Sequence, residues 1–231
     1  MPNQKDSNIE DFAFDYLKSH YSTLYSTKGI LISKAEKTKL HGTADGIFAL
    51  KKPDNTLFIA SLNVSQSQQL ARLLNRYKKN GLSKFRFVTA LIAFAATTFF
   101  TRSLGYGILS WVIPVAATLV IFVTHSLLER SYLKHKVEKL LNIFKAQPAD
   151  EQWLGISISS LAFRHNSLAK HLLNLCERRG IGLITVGKRA KVVQLKDPRT
   201  NTCHKGDFVS HYVTEAHIRK TLLGGSFLRV A

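Results

Sequence analysis

Cysteine and acidic residues are scarce in this chain of 231 residues. The two cysteines, Cys176 and Cys203, exclude a disulfide scaffold and indicate a reducing compartment. Only 15 residues are Asp or Glu against 33 Lys or Arg, which gives a formal charge of +18. Five prolines and 45% hydrophobic residues also exclude wholesale disorder and low-complexity architectures. The length predicts one or two domains with a sizeable core.

Charge is missing altogether from two segments in the middle of the chain, residues 87–101 and residues 103–128. The second segment is long enough to span a membrane, which takes about 20 apolar residues, although Pro114 is expected to kink it. The first segment reaches spanning length only if Arg86 and Arg102 extend toward the lipid head groups. Gly105 and Gly107, near the start of the second segment, favour a tight turn there. The pattern therefore predicts a transmembrane hairpin; the alternative is a buried helical hairpin in a soluble protein.

Basic residues flank this hairpin on both sides. Six of them precede it within residues 72–86, four follow within residues 130–139, and Arg102 is the single charged residue of the connecting loop. By the positive-inside rule both flanks are cytoplasmic, and the loop faces the other side of the membrane. Trp111 lies where an outer belt of interfacial aromatic residues is expected. The sequence thus predicts a two-pass membrane protein with both termini in the cytoplasm.

The flanking segments are predicted to be two halves of one cytosolic α/β domain, residues 1–84 and 129–231, which the hairpin at 85–128 interrupts. Hydrophobic periodicity and turn residues set the predicted elements. In the first half these are a helix over 8–25, strands over 29–33, 43–50 and 56–64, and a helix from 66. In the second half they are an amphipathic helix over 131–145, a strand over 153–160, a helix over 167–179, strands over 183–186 and 191–195, and a helix over 211–223.

Three short stretches anchor a comparison with a known fold: GTADGIF at 42–48, LFIASLN at 57–63 and CERRGIGL at 176–183. With the order helix, three strands, helix, strand, helix, strand, they resemble the core of the restriction-endonuclease-like fold, also called the PD-(D/E)xK fold. In that family an Asp on the second core strand and an acidic-x-Lys motif on the third bind a divalent metal and position a water molecule. The resemblance implies the same core here, with a transmembrane hairpin inserted.

The catalytic set of that family does not carry over to this chain. Asp45 matches the first acid, but Ser61 stands where the strand motif has Glu or Asp, and Asn63 stands where it has Lys. A lone carboxylate neither holds a hard cation well nor activates a water molecule. We therefore expect these three positions to be vestigial, with no catalytic residue, no metal and no cofactor. The alternative for Asp45 is an ordinary carboxylate at a turn or strand edge.

Basic residues also cluster away from the hairpin. The cluster most remote from it comprises Arg178, Arg179, Lys188, Arg189 and Lys191. Attraction to the anionic inner leaflet explains charge near the membrane better than charge at these positions. Binding to the phosphates of a nucleic acid is the sharper interpretation, and a solvated basic face is the alternative.

Size, hairpin and charge together resemble the two-transmembrane effectors of bacterial anti-phage systems, including those paired with retrons, in which a reverse transcriptase and its RNA–DNA product restrain the effector. The resemblance implies a non-enzymatic effector of the bacterial inner membrane that associates with lipid, with such a nucleoprotein, and with further copies or other subunits. One alternative is a membrane-tethered, metal-dependent nuclease in which a migrated Glu36, Asp54 or Glu177 completes the site. Another is a structural subunit of a membrane complex.

Cysteine labelling tests the predicted topology. A Gly105→Cys variant is expected to react with a membrane-impermeant maleimide in sealed spheroplasts, because the loop between the two apolar segments faces outward. The native Cys203 is the internal control, since it should react only after the membrane is permeabilised. Labelling of Cys203 in sealed spheroplasts would contradict cytoplasmic placement of the second half.

Overall fold

The computed structural model describes residues 4–27, 29–40, 42–64, 67–105, 107–187, 191–203 and 206–224, with the side chains of residues 4–9, 109 and 110 excepted. The chain forms two compact units. One unit combines residues 1–75 with residues 137–231, and the other comprises residues 76–136. We call them the sheet unit and the hairpin unit.

The helices and strands follow one another in an α/β order. Before the first apolar helix the elements are α1 (Gln4–Leu24), β1 (Leu31–Lys37), β2 (Thr43–Lys51), β3 (Leu57–Asn63) and α2 (Ser67–Asn80). The two apolar helices are α3 (Phe85–Ser103) and α4 (Leu109–Lys145). They are followed by β4 (Glu151–Ile156), α5 (Ser167–Arg179), β5 (Ile181–Val186), β6 (Val192–Lys196) and α6 (Glu215–Leu223), with short 3₁₀ turns at Ser160–Phe163 and Phe208–His211.

The six strands form one mixed sheet in the order β1-β2-β3-β4-β5-β6. Strands β1, β2 and β3 pair antiparallel, as consecutive strands joined by short turns do. Strands β3, β4 and β5 pair parallel, and β6 returns antiparallel to β5. A mixed sheet with helices and two long apolar helices agrees with the predicted α/β class.

Helix α5 shows how closely local sequence sets an element's ends. The side chain of Asn166 accepts hydrogen bonds from the backbone N–H groups of Leu168 and Ala169, both at 3.1 Å, and so caps the helix at its N-terminus. Gly180 ends the helix with a φ of 68°, a conformation that glycine adopts without a steric penalty. Because the chain reverses there, β5 begins at the next residue. The predicted bounds, 167–179, are therefore confirmed.

One side of the sheet is covered by α1. The buried residues Ala13, Phe14, Leu17 and Tyr21 of α1 belong to the same apolar cluster as Phe48, Phe58, Leu62 and Trp153 of the sheet. The contact is closest at Gly46, where an added Cβ would lie 2.2 Å from Cζ of Phe14. A glycine at this position thus lets α1 approach β2.

A buried polar network ties α1 to β4 within this side of the sheet. The hydroxyl of Tyr21 donates a hydrogen bond to Glu151 at 2.6 Å, and Nε1 of Trp153 donates to that hydroxyl at 2.7 Å. The hydroxyl of Thr200 donates to the second carboxylate oxygen of Glu151 at 3.1 Å. These bonds satisfy polar groups that would be costly to bury alone.

Four predictions need correction. The separate helices expected up to residue 128 and over 131–145 are one helix, α4, because no glycine or proline interrupts the chain between them. The strand expected over 153–160 ends at Ile156, and Ser159 instead caps a 3₁₀ turn by accepting from the N–H of Leu161. The first strand lies later than expected, at Leu31–Lys37, and the last helix begins at Glu215 rather than 211.

Candidate functional site

Helices α3 and α4 are both long and apolar enough to cross a membrane by length and composition. Only 11% of the apolar window of α3 and 6% of that of α4 is buried, whereas a core helix of a soluble protein is mostly buried. Large apolar side chains point outward along both helices: Phe87, Val88, Leu91, Ile92, Phe99, Phe100, Trp111, Val112, Val115, Leu119, Val120 and Val123. So large an exposed apolar surface marks an interaction site.

The two apolar helices contact each other through a mixed aromatic and polar stripe within the hairpin unit. The rings of Phe87 and Phe122 lie 5.4 Å apart, and the guanidinium of Arg86 stands 5.2 Å from the ring of Phe122. One turn further along α3, the hydroxyl of Thr89 is 3.4 Å from Nδ1 of His125. This end of the hairpin is therefore polar inside.

Two ionisable side chains complete this end of the stripe. One carboxylate oxygen of Glu129 accepts a hydrogen bond from the backbone N–H of Ser83 at 2.7 Å. Nε of Arg86 and the other oxygen of Glu129 are buried without a hydrogen-bond partner in the part of the chain that the structure describes. Ionisable groups near the hydrocarbon are costly, and they tend to mark functional positions in membrane proteins.

At the opposite end of the hairpin the structure brings two predicted residues together. The guanidinium of Arg102 lies 5.0 Å from the ring of Trp111, a cation–π contact across the turn. Pro114 is buried within α4, and its carbonyl accepts from the hydroxyl of Thr118 at 2.7 Å. Helix α4 continues through Pro114, which has no N–H to donate to the preceding turn.

The three positions predicted as vestigial lie on neighbouring strands of the sheet unit, Asp45 on β2 and the other two on β3. The carboxylate of Asp45 accepts a hydrogen bond from the backbone N–H of Val64 at 2.7 Å, so it supports the chain where β3 ends. Ser61 and Asn63 are 0% and 3% exposed. In the described residues no group of three His, Cys, Asp or Glu side chains is placed to hold a metal ion.

The three acids considered as replacements for the missing one have separate surroundings. Glu36 is bonded by the hydroxyls of Ser33 and Thr214. Asp54 lies in the β2–β3 turn, at the other end of β2 from Asp45. Glu177 forms an ion pair at 2.7 Å with Lys196 of β6, the strand at the opposite edge of the sheet from β1.

Sequence analysis did not single out Glu10 of α1, whose carboxyl interacts electrostatically with Asp45. Burial raises the pKa of the Glu10 carboxyl above its ordinary value, and repulsion from Asp45 raises this pKa further. The signal was present in the helix periodicity. Glu10 lies one turn before Phe14, which packs on Gly46, the neighbour of Asp45.

The basic residues predicted to bind nucleic acid do not form one compact patch. Arg178 is exposed at the end of α5, while Arg179 contacts the backbone carbonyl and the carboxylate of Glu138, both at 3.3 Å. Lys191 is exposed at the other end of β5, because Val192 pairs with Val186. At about 3.3 Å per residue the two ends are roughly 17 Å apart. Two further predicted residues, Lys188 and Arg189, lie outside the described residues.

Arg199, which sequence analysis did not single out, is a further basic residue beside the end of α5. Its backbone N–H donates to the carbonyl of Gly180 at 2.9 Å, and a Cβ on Gly180 would lie 2.8 Å from Cβ of Arg199. The side chain of Cys176, on the same helix, is buried, and burial raises the pKa of its thiol to about 12. Cys176 therefore packs in the core and does not act as a nucleophile.

Compared with known proteins, the chain matches no family model, and no curated protein or solved structure is significantly similar to it.

The raised pKa of the Glu10 carboxyl, caused first by burial and then by repulsion from Asp45, predicts a pH-dependent stability. The raised pKa of Glu10 means that its ionisation destabilises the folded state, so this contribution is absent below the unfolded pKa and grows as pH rises through the folded pKa. We expect Glu10→Gln to unfold at a higher temperature than the parent at pH 7 and at the same temperature near pH 4. The gain is small, below about 1 kcal/mol, because solvent screens a partly exposed group.

Thermal unfolding of the purified full chain at the two pH values measures this effect. Asp11→Asn is the matched control, since it removes a neighbouring carboxylate that pairs with Lys34 at 2.7 Å on the surface. An equal stabilisation by both variants, or one that does not depend on pH, would contradict the assignment to the partly buried Glu10 carboxyl.

Proposed function

We propose that this protein is a membrane-anchored, catalytically inactive, nuclease-like effector of a bacterial anti-phage defence system. A partner that contains nucleic acid, such as a reverse transcriptase with its RNA and DNA, holds the sheet unit, and the hairpin acts on the inner membrane. The observation that carries the proposal is the hairpin itself. Two apolar helices that the chain leaves almost uncovered interrupt an α/β domain, and both have the length to span a bilayer.

The proposed fold is the restriction-endonuclease-like core. Its support is the arrangement of elements: a helix, three antiparallel strands, a crossover, and a fourth strand parallel to the third. Loss of nuclease activity is proposed because the positions of the acidic-x-Lys motif hold Ser61 and Asn63, which are buried and uncharged. Hydrolysis of a phosphodiester by this family's chemistry requires a metal or an oriented water that those side chains do not supply.

A partner that grips the sheet unit can act on the hairpin through α4. This helix carries the second apolar segment and runs on without a break to Lys145. At its last residue, Nζ of Lys145 donates to Asn201 at 2.7 Å. Just after the helix, Asp150 exchanges hydrogen bonds with Ile59 of β3. The last turn of α4 is thus fixed to the sheet, which supports the proposal that this helix transmits partner binding to the hairpin.

Membrane damage by the free protein is the central prediction. Expression without the partner is expected to depolarise cells and stop growth, because Pro114 removes a backbone hydrogen bond from α4 and so favours association of several hairpins. Leu119→Asp should abolish the effect by blocking insertion, since an aspartate at the centre of a spanning helix costs about 3 kcal/mol. Leu119→Ala is the matched control and should stay toxic. Membrane potential is read with a voltage-sensitive dye and insertion by fractionation.

Free protein that inserts yet leaves membrane potential and growth untouched would reduce the hairpin to an anchor. Toxicity retained by Leu119→Asp in the soluble fraction would place the harmful activity in the sheet unit instead.

Nucleic-acid binding is the second prediction, and the adjacent arginines of α5 give it a matched design. Arg178→Ala is expected to weaken binding and to lower the salt slope by about 0.9 for a duplex, the value for one lost phosphate contact. Arg179→Ala should affect stability more than binding, by up to about 1 kcal/mol, because Arg179 contacts Glu138.

Lys34→Ala controls for the loss of one positive charge elsewhere, since Lys34 lies on β1, at the opposite edge of the sheet from β6. Binding is followed by fluorescence anisotropy at several salt concentrations. Equal losses for the three variants would indicate a general charge effect and favour the solvated basic face.

A second candidate, a metal-dependent nuclease, is favoured by the approach of Glu10 to Asp45, which gives two carboxylates at one end of the sheet. Incubation of the full chain with DNA and RNA in Mg²⁺ or Mn²⁺ distinguishes the two functions. We expect no cleavage above that of an Asp45→Ala variant purified in the same way. Metal-dependent cleavage that Asp45→Ala abolishes would replace the inactive effector with the nuclease.

A further inference from the structure

Exposed basic residues gather at the end of the hairpin unit where the chain enters and leaves it. We call five of them the basic collar: Lys79, Lys84, Arg130, Lys134 and Lys136. Lys84 directly precedes α3, and Arg130 is two residues beyond the uncharged segment of α4. Because a helix rises about 1.5 Å per residue, Lys136 lies about 12 Å beyond that segment along α4. The collar thus borders the apolar part of both helices.

One hydrogen bond joins the two flanks of the collar. The backbone N–H of Ser83 donates to the carboxylate of Glu129 at 2.7 Å. Lys84 follows Ser83 in the chain, and Arg130 follows Glu129. The basic residues that precede α3 and those that α4 carries therefore lie at one level of the hairpin.

The collar keeps its positive charge because no acid neutralises it. Glu129 is the only Asp or Glu between residues 76 and 136. One oxygen of its carboxylate is bonded to Ser83 and the other is buried. None of the ion pairs among the described residues includes a residue of the collar. Like charges at this density repel one another, so an anionic partner stabilises them.

Exposed apolar side chains begin where the collar ends. Phe85, next to Lys84, is 71% exposed, and Leu128, two residues before Arg130, is 66% exposed. A phospholipid surface offers a layer of phosphates with hydrocarbon directly beneath it, so it fits the cations and the apolar side chains together. The exposed Tyr132, on α4 within the collar, is of a type enriched at that boundary. A nucleic acid offers phosphates without a hydrocarbon layer and fits the cations alone.

We propose that the basic collar binds the phosphates of anionic phospholipids in the cytoplasmic leaflet. The lipid is one with a net negative head group, such as phosphatidylglycerol, because a zwitterionic head group offers no net charge to five cations. The inference rests on the proposed insertion of the hairpin. It goes further by assigning the charge beside the hairpin to lipid, which leaves the basic residues at the ends of β5 to the nucleic-acid partner.

Lysine acetylation of the full chain in proteoliposomes tests the collar residue by residue. An attraction of about 1 kcal/mol per basic residue corresponds to about a fivefold preference for the bound state. The four collar lysines are therefore expected to react about fivefold more slowly in vesicles of equal phosphatidylglycerol and phosphatidylcholine than in phosphatidylcholine alone. High salt should remove this difference. Lys18 and Lys51, exposed residues of the sheet unit, are the internal controls and should react at the same rate in both vesicles.

A charge-matched pair of double variants tests the lipid selectivity. Lys84→Gln combined with Arg130→Gln should lower the ratio of phosphatidylglycerol to phosphatidylcholine that native mass spectrometry finds bound to the protein, by up to about 25-fold. Lys18→Gln combined with Lys51→Gln removes the same charge from the sheet unit and should leave the ratio unchanged.

Equal acetylation of the collar lysines in the two kinds of vesicle would overturn the proposal and leave the insertion intact, since fractionation reports insertion separately. Stronger protection by single-stranded DNA on phosphatidylcholine vesicles than by phosphatidylglycerol would assign the collar to nucleic acid and overturn it as well. A chain that stays in the soluble fraction would overturn both the proposed function and the lipid assignment.

Discussion

The parallel pairing of β3 with β4 is the interaction on which the rest of the sheet unit depends. These strands are neighbours in the sheet although residues 64–150, including both apolar helices, lie between them in the chain. Closing so long a connection costs entropy that local contacts must offset. Hydrogen bonds between Asp150 and Ile59, and the network of Tyr21, Glu151 and Trp153, concentrate at the first residues of β4. These hydrogen bonds fix the start of β4.

The hairpin unit differs from the sheet unit because most of its apolar side chains are exposed. Its apolar side chains are little buried among the described residues, and an exposed apolar surface of this size marks an interaction site. The contact of Thr89 with His125 and the buried polar atoms of Arg86 and Glu129 lie at one end of its interior. Both helices are long and apolar enough to cross a membrane by length and composition.

The positions that we propose to be degenerate nuclease residues, Asp45, Ser61 and Asn63, lie in structural surroundings. Asp45 supports the backbone at the end of β3, and the positions that would carry a charged pair are buried and neutral. Burying charged side chains there would require partners that the surrounding glutamines and apolar residues do not offer. The exposed basic residues, in contrast, are free of that constraint and lie at both ends of β5.

The sequence by itself determined what depends on local patterns. The glycine that ends α5, the turn between β2 and β3, and the absence of charge over 87–101 and 103–128 each fix an element through neighbouring residues, and these predictions agree with the structure. The N-terminal cap of α5 differs from the prediction, which placed it at Ser167, because the side chain of Asn166 caps the helix. Only the tertiary structure decided which distant residues meet. It placed Glu10 where burial and Asp45 raise the pKa of its carboxyl, tied Arg179 to Glu138, set Lys191 away from Arg178, and paired Ser61 with Gln152. Periodicity along a strand or helix assigns a residue to a side, but strand order and register decide what lies against that side, and both arise from pairing between segments far apart in the chain.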